Sequence, residues 1–328
     1  MKLASLQNGT RDGKLVLISR DLSRYVDCAD VALTMQEALD NWADVSPRLA
    51  VIADRLEREK SGLPFNPTEA LAPLPRAWQW LDGSAFATHG ELMQQAYDLP
   101  PIPTDKPLMY QGLSHHFAPG HADMRFPSEE DGIDFEAEFA VIVDDVPLGV
   151  SPDQAMEHIK LILLLNDWSL RVLGAAEMRT GFGWVQAKPP CSAAPVAVTP
   201  DELDGAWQNG RVHLPVTVRL QGVLFGAAQG GVMDFGFHDL IAHAARTRSL
   251  CAGTIIGSGT VSNADCRAVG SSCIAERRAI EKIDLGAPRT AFMQFGDHVE
   301  IEVFASERSV FGKIKQDVAQ SSLTHGLS

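Results

Sequence analysis

The sequence predicts an all-β or α+β fold and argues against alternating βαβ units. Short runs of β-forming residues recur along the chain, and 27 glycines and 19 prolines spread through 328 residues punctuate them. Helical patterns are few and do not alternate regularly with strands. With 45% hydrophobic and 21% charged residues the composition is ordinary for a globular protein, and the length suffices for a sizeable core in one large domain or two unequal ones.

Taken in order, residues 2–6 and 15–18 read as strands on either side of the turn-rich "NGTRDG" at 8–13. Thr34 is placed to cap a helix, with Glu37 three residues on in a capping-box pattern, and the helical pattern runs to about Lys60. Pro64, Pro67, Pro73 and Pro75 then break periodicity and read as a linker. "WLDGSAFATHGELMQQA" (80–96) passes from a turn into a helix, and "LPPIPTDKP" (99–107) is a second proline-rich connector. β-like runs dominate the remainder, at 138–143, 212–220, 254–258 and 299–304, with helical stretches at 152–165 and 237–247. The chain ends in a polar tail from Gln320.

A net charge of −14 argues against nonspecific binding of nucleic acid or anionic membranes. An acidic protein that handles an anionic substrate needs concentrated positive charge, or a bound cation, at its site. The longest apolar run, "LILLL" (161–165), is far too short to span a bilayer, and residues 1–10 lack a signal-peptide core. Cys28, Cys191, Cys251, Cys266 and Cys273 are odd in number with no CxxC spacing, which predicts reduced thiols in the cytoplasm, not disulfides or zinc.

In "IDFEAEFAVIVDD" (133–145), Asp134, Glu136 and Glu138 share one strand face, because side chains alternate with period two. The same face continues through Ala140 and Ile142 into apolar territory, so like charges stand where a core begins. Two readings are open: a solvated strand face, or a wall of oxygen ligands, about 7 Å apart along the strand, for a divalent cation. Asp167 in "LLLNDWSLR" favours the second, since it follows an apolar run and sits where a buried element meets a cleft. An all-oxygen set suits Mg2+, Ca2+ or Mn2+ over zinc or copper.

The ordered set "DFEAEFAVIVDDVPLGVSPDQAMEHIKLILLLNDWSLR", "FGWVQAKP" and "IIGSGTVSN" resembles the fumarylacetoacetate hydrolase family over about residues 70–318. The resemblance implies an α+β, mainly β architecture: a mixed-sheet roll at 71–318, a small SH3-like β domain at 1–70 before it, a flexible tail at 319–328, and assembly as a homodimer. It implies metal ligands at Asp82, Glu136, Glu138 and Asp167, catalytic roles for His89, Glu276 and Lys188, and substrate contacts from Tyr110, Arg171 and Thr260. The implied cofactor is a divalent cation, Mg2+ or Ca2+ or else Mn2+, and the implied partner a small diketo or oxo acid. The implied reaction is hydrolysis of a C–C bond in a 1,3-diketo acid such as fumarylacetoacetate or an acylpyruvate, through water activated by His89 and Glu276 and a metal-stabilised enolate. Decarboxylation of a 2-oxo acid or hydration of a 2-hydroxydienoate is the alternative chemistry, and a noncatalytic metal- or metabolite-binding module the reading from a different class.

Each residue has a plainer competing role. Asp82-Gly83 is a favoured tight-turn pair. His89 could sit on a surface helix, and Glu276 could pair with Arg277 or Arg278. Arg171, four residues past Asp167, could form a helical i,i+4 pair with it. Lys188 could form a plain salt bridge, Tyr110 could be a core aromatic, and Thr260 a turn hydroxyl. Asp134 matches no ligand position and reads as a solvated charge at the strand's start. Two departures from the family pattern bear on substrate identity: Gly174 stands where fumarylacetoacetases carry Gln, and His115 and His116 stand where small residues are usual. That pair reads as a solvated loop, a support to the ligands, or an alternative base. Trp78, Trp80 and Trp168 could be core or interface.

Overall fold

The computed structural model describes residues 1–101 and 105–321. Strands β1 (Lys2–Leu6), β2 (Lys14–Ile18) and β3 (Arg24–Asp27) form an antiparallel meander. Helix α1 (Met35–Asp40) starts as the capping pattern predicts: the Thr34 hydroxyl accepts the Glu37 N–H at 3.1 Å, and the Glu37 carboxylate returns to the Leu33 N–H at 2.7 Å. Asn41 interrupts the helix and α2 (Trp42–Glu59) resumes it.

The meander continues into the main sheet. β1 is buried along its whole length, so both of its edges need hydrogen-bond partners. One edge takes β2, and the other pairs Lys2 with Val198 and Leu3 with Ala197, which makes the N-terminal strands one end of the main sheet. The proline-rich stretch after α2 is likewise no free linker. Ala72 and Leu74 are buried, the Leu71 N–H donates to Ser5 O at 2.8 Å, and the Ser5 hydroxyl donates to Pro73 O at 2.7 Å.

The centre of the molecule is a twelve-stranded mixed sheet. Its functional half contains β4 (Trp80–Ser84), β5 (Leu108–Gln111), β6 (Ala137–Val143), β7 (Ile159–Asn166) and β8 (Thr254–Gly257). The lateral order runs β3-β2-β1, then Ala197–Val198, then β7-β6-β8-β4-β5, with β8 and β4 parallel. Every residue of β6 is buried, because both faces of the sheet are covered. Phe139, Val141 and Val143 enter one core with Val216, Val218, Ile301 and Val303 of a second, six-stranded sheet. Ala140 and Ile142 enter the other core, beneath Met35, Ala38, Leu39 and Leu49 of the two N-terminal helices. The acidic face of the 133–145 segment therefore runs straight into the helix-covered core.

The helix expected over 152–165 is mostly strand. Ser151 and Gln154 form a capping box that starts Pro152–Ala155, and a 3-10 turn follows at Met156–His158. Residues 159–166 are β7, because an apolar run with no polar face suits an inner strand flanked by β6 and Ala197–Val198. Of the tail expected at 319–328, Ala319 and Gln320 pair as strand with Arg125 and Phe126, and residues 322–328 lie outside the described ones. The connector expected at 99–107 also falls partly outside them. Trp80 and Trp168 are core residues, whereas Trp78 is 65% exposed. The five cysteines are free thiols, with Cys251 exposed and the others buried. Among the described residues no helix is long and apolar enough to cross a membrane.

Candidate active site

Three parts of the sheet converge on one point. Asp82 on β4, Glu138 on β6 and Asp167, directly after β7, each bring a carboxylate oxygen within 4.8 Å of the others, and all three are buried. Asp82-Gly83 is therefore strand and not a tight turn: Asp82 pairs with Gly257 on one side and Tyr110 on the other. The "GSGT" segment is shaped to admit this carboxylate. A Cβ on Gly257 would lie 2.3 Å from Asp82 Oδ1. Gly259, at φ +76°, donates its N–H to the same oxygen at 3.2 Å.

Glu138 is 0% exposed, and neither of its oxygens has a hydrogen-bond partner among the described residues. Burial, then the charges of Asp82 and Asp167, pushes its carboxyl well above the usual range. Burial followed by Asp167 does the same to Asp82. Two unpartnered oxygens facing two further carboxylates, with no sulfur or imidazole in the group, fit a hard divalent cation.

Glu136 stands outside that trio but touches it through Lys188. The buried Lys188 ammonium donates to Glu136 Oε1 at 2.8 Å and to Asp167 Oδ2 at 2.6 Å. Burial opposes the charge on Lys188, but Asp167 and Glu136 outweigh it and hold the ammonium above the ordinary lysine value. Burial likewise opposes ionisation of Glu136, yet Arg171 and Lys188 keep its carboxyl well below the usual range. Arg171 is no i,i+4 partner of Asp167: its Nε donates to Asp134 at 2.8 Å and its Nη1 lies 3.1 Å from Glu136, while Nη2 is buried without a partner among the described residues. Tyr110 donates its hydroxyl to Asp167 Oδ2 at 2.6 Å, and Thr260 donates its hydroxyl to Glu136 Oε2.

Two helices bring the expected acid–base pair together. Helix α3 (Ala87–Tyr97) follows β4 closely and carries His89, and helix α4 (Ile274–Leu285) carries Glu276 in its first turn. They pack through Leu92, Ala96, Ala279 and Ile280. His89 Nδ1 lies 3.1 Å from Glu276 Oε2, and Glu276 is fully buried. With the carboxylate as acceptor, Nδ1 carries the imidazole proton and Nε2 is left as the basic nitrogen. Glu276 makes no ion pair with its arginine neighbours. Arg277 lies over the Phe225 ring at 4.7 Å and Arg278 over the Phe292 ring at 4.4 Å.

Asp134 overturns its expected role. It is 0% exposed, so Asp134, Glu136 and Glu138 are all buried and the solvated strand face is excluded. Sequence reasoning also missed residues that hold Glu136. Asn166 Oδ1 accepts the Glu136 N–H at 3.0 Å, and the Ser169 hydroxyl donates to Glu136 Oε1 at 2.5 Å. Both lie in the quoted "NDWS" and could have been flagged as polar residues flanking Asp167. Trp184 meets the Tyr110 ring edge-on at 4.7 Å and lies 6.0 Å from the Lys188 ammonium, a contact no spacing rule announces. His115 and His116 are exposed, as a solvated pair would be. At Gly174 an added Cβ would make only an ordinary 3.6 Å contact with Ala187, so the position leaves room just before Lys188.

A mixed-sheet fold that buries converging carboxylates beside a lysine defines a chain built around an acidic centre. The family model for the fumarylacetoacetate hydrolase C-terminal region matches residues 79–319, and that for fumarylacetoacetase N-terminal domain 2 matches residues 1–76. The chain belongs to the fumarylacetoacetate hydrolase family. It is 28% identical over 163 residues to 2,4-didehydro-3-deoxy-L-rhamnonate hydrolase of Sphingomonas sp. (strain SKA58), a match covering 49% of this chain and 54% of that one. The chain thus spans about half the length of this curated relative. Maleylpyruvate hydrolase from Sphingobium sp. SYK-6, solved with manganese(II) and pyruvate, superposes with a TM-score of 0.65 at 14% identity, over 98% of this chain and all of that one. A 5-carboxymethyl-2-hydroxymuconate delta-isomerase from Mycobacterium smegmatis gives 0.59 at 15% identity, over 98% and 100%. At these identities the structures share the fold, and the named relatives are enzymes, hydrolases and isomerases.

Proposed function

We propose that this protein hydrolyses a C–C bond in a 1,3-diketo acid, such as fumarylacetoacetate or an acylpyruvate, with a divalent cation held by Asp82, Glu138 and Asp167 and by Glu136 as fourth ligand. The observation that carries the reading is the convergence of three buried carboxylates, with both Glu138 oxygens unpartnered, beside the Lys188 ammonium. Mg2+, Ca2+ and Mn2+ all suit that donor set.

A cation bound there supplies Lewis acidity toward the paired oxygens of a diketo acid, which makes a carbon leaving group tolerable. The other steps belong to side chains. His89 Nε2 takes a proton from water while Glu276 stabilises the imidazolium, and that water attacks the adjacent carbonyl carbon. Lys188 offsets the negative charge that develops on the attacked carbonyl oxygen. Arg171 Nη2, buried and without a partner among the described residues, offers a donor to the substrate carboxylate, and Tyr110 and Thr260 meet substrate from their positions on Asp167 and Glu136. The His89 imidazolium returns its proton to the departing carbon. Kinship with a curated hydrolase favours hydrolysis over decarboxylation or hydration.

Purified protein with Mg2+ is expected to consume fumarylacetoacetate or an acylpyruvate, seen as loss of diketone absorbance. No turnover of either, with clear decarboxylation of oxaloacetate instead, would overturn the assignment.

The cation should also stabilise the fold, and more so at high pH. Asp82 and Glu138 have carboxyls raised by burial above their unfolded values, so the folded protein binds more protons than the unfolded one. Their contribution to stability is complete below the unfolded carboxyl range and is lost as pH rises through the folded values. Chelator-treated protein is therefore expected to melt lower at pH 8 than at pH 6. A cation at about 100 times its Kd adds about 2.7 kcal/mol, which is a Tm rise of about 5 °C for a domain of this size. That rise is expected to shrink at pH 5, where protons compete for the same oxygens. Equal shifts at both pH values in differential scanning calorimetry would count against carboxylate ligation.

A further inference from the structure

Asp134 is the one acid of the Asp134/Glu136/Glu138 face with no part in the reaction just described, yet its carboxylate is fully buried and has partners on both oxygens. Oδ2 accepts Arg171 Nε at 2.8 Å and the Ala275 N–H at 2.9 Å, and Oδ1 accepts the Ile274 N–H at 2.7 Å. Ile274 and Ala275 open α4, the helix whose third residue is Glu276. Their N–H groups are among the donors a helix leaves unpaired at its start, and the helix dipole favours an acid there. On the other side of Asp134, Arg171 Nη1 reaches Glu136. One carboxylate thus ties the strand segment bearing Glu136 and Glu138 to the helical turn bearing Glu276.

Backbone contacts alone do not fix that turn. The Ala137 N–H donates to Ser272 O at 3.0 Å, and Glu136 bridges to Cys273, but both contacts end before the helix begins. Within the first turn, the remaining side-chain acceptor is Cys273 Sγ, which takes the Glu276 N–H at 3.3 Å and is a weak partner.

We propose that Asp134 is a positioning residue for the acid–base pair: it sets the first turn of α4 so that Glu276 meets His89 Nδ1, and it holds Arg171 on Glu136. The inference rests on the reading of His89 and Glu276 as that pair. Asp134→Asn keeps one acceptor oxygen but must turn an NH2 group toward either Arg171 or the helix N–H groups, all of them donors.

The test is 15N NMR of the histidine side chains in the full chain, with the His89 signals assigned by their loss in His89→Asn. The wild-type imidazole is expected to hold the Nδ1–H tautomer in about tenfold excess, and Asp134→Asn to reduce this to about threefold or less. Cation affinity measured with Mn2+ should fall by no more than about tenfold, because Asp134 reaches Glu136 only through Arg171 and Lys188 stays in place on Glu136. Glu276→Ala, which removes the acceptor, is the control. An unchanged tautomer ratio in Asp134→Asn, with a shifted one in Glu276→Ala, would leave Asp134 a structural brace only and overturn the inference. No shift in either variant would instead refute the acid–base pair itself. If Asp134→Asn fails to fold, Asp134→Ser keeps a helix-capping acceptor without the charge and is judged by the same ratio.

Discussion

Glu138→Gln is expected to abolish tight cation binding while making the chelator-treated protein more stable. The two effects have one cause. Glu138 is fully buried on β6 with two unpartnered oxygens, and its neighbours Asp82 and Asp167 are of like charge. In chelator the carboxylate is an electrostatic cost, carried either as a buried charge or as an uptake of protons at neutral pH. A neutral amide of the same shape removes that cost. Each pKa unit of the raised value is about 1.4 kcal/mol at pH 8, so a Tm gain of a few degrees is expected. With cation present the sign reverses, since an amide offers neither charge nor a second anionic oxygen. Loss of an outer partner of a ligand costs 10–100-fold in affinity, so loss of a ligand should cost about 100-fold or more. Isothermal titration with Mn2+ and calorimetric melting, with and without chelator, read both halves. A destabilised variant that still binds cation normally would mean Glu138 is a packing residue. Glu136→Ala should weaken the cation less, because Arg171 and Lys188 already neutralise that carboxylate.

The acids of the 133–145 segment show how far the sequence could be read. Period-two alternation put Asp134, Glu136 and Glu138 on one face, and the turn of that face to Ala140 and Ile142 marked it as the edge of a core. Both inferences hold, since Asp134, Glu136 and Glu138 are buried and the two apolar residues pack beneath the N-terminal helices. What alternation could not say is which acid faces which partner. Ile133–Asp134 pairs with Ser169–Leu170, outside the main sheet, and there Asp134 meets Arg171 and the start of α4, elements 37 and 140 residues away. Glu136 meets Lys188, and among the described residues neither Glu138 oxygen has a hydrogen-bond partner. These are tertiary facts with no local signature. The misread 152–165 helix has a similar origin: a genuine helix start at Ser151 was extended into an apolar run that periodicity alone cannot assign to helix or strand. The pairing of β1 with Ala197–Val198 is a tertiary fact of the same kind, because no local pattern tells β1 which distant segment will meet its second edge.

His89→Ala is expected to lower kcat by about 10²–10⁴-fold on whichever diketo acid the wild type hydrolyses, the usual worth of a positioned general base. Cation affinity should be unchanged, because His89 is on α3 and contributes nothing to the carboxylate cluster. Glu276→Gln should cost less than His89→Ala. The amide can still accept from Nδ1–H and keep the tautomer, but it cannot stabilise the imidazolium. The double variant is the sharper measurement. If the two residues act as one unit, removing both should cost little more than removing His89 alone, and the single effects will not add. Additive losses would mean that Glu276 works independently of the imidazole, as a buried support for the α3–α4 contact. Near-normal turnover in His89→Ala would remove the base from the scheme altogether. His115 and His116 would then be poor substitutes, since both lie exposed on the surface. A protein that binds cation and is indifferent to His89 in every assay would be a binding module on an enzyme's fold. The buried Glu276, with one oxygen on His89 and the other unpartnered, argues against that outcome, because burying an acid is costly and a module without proton transfer has no use for it.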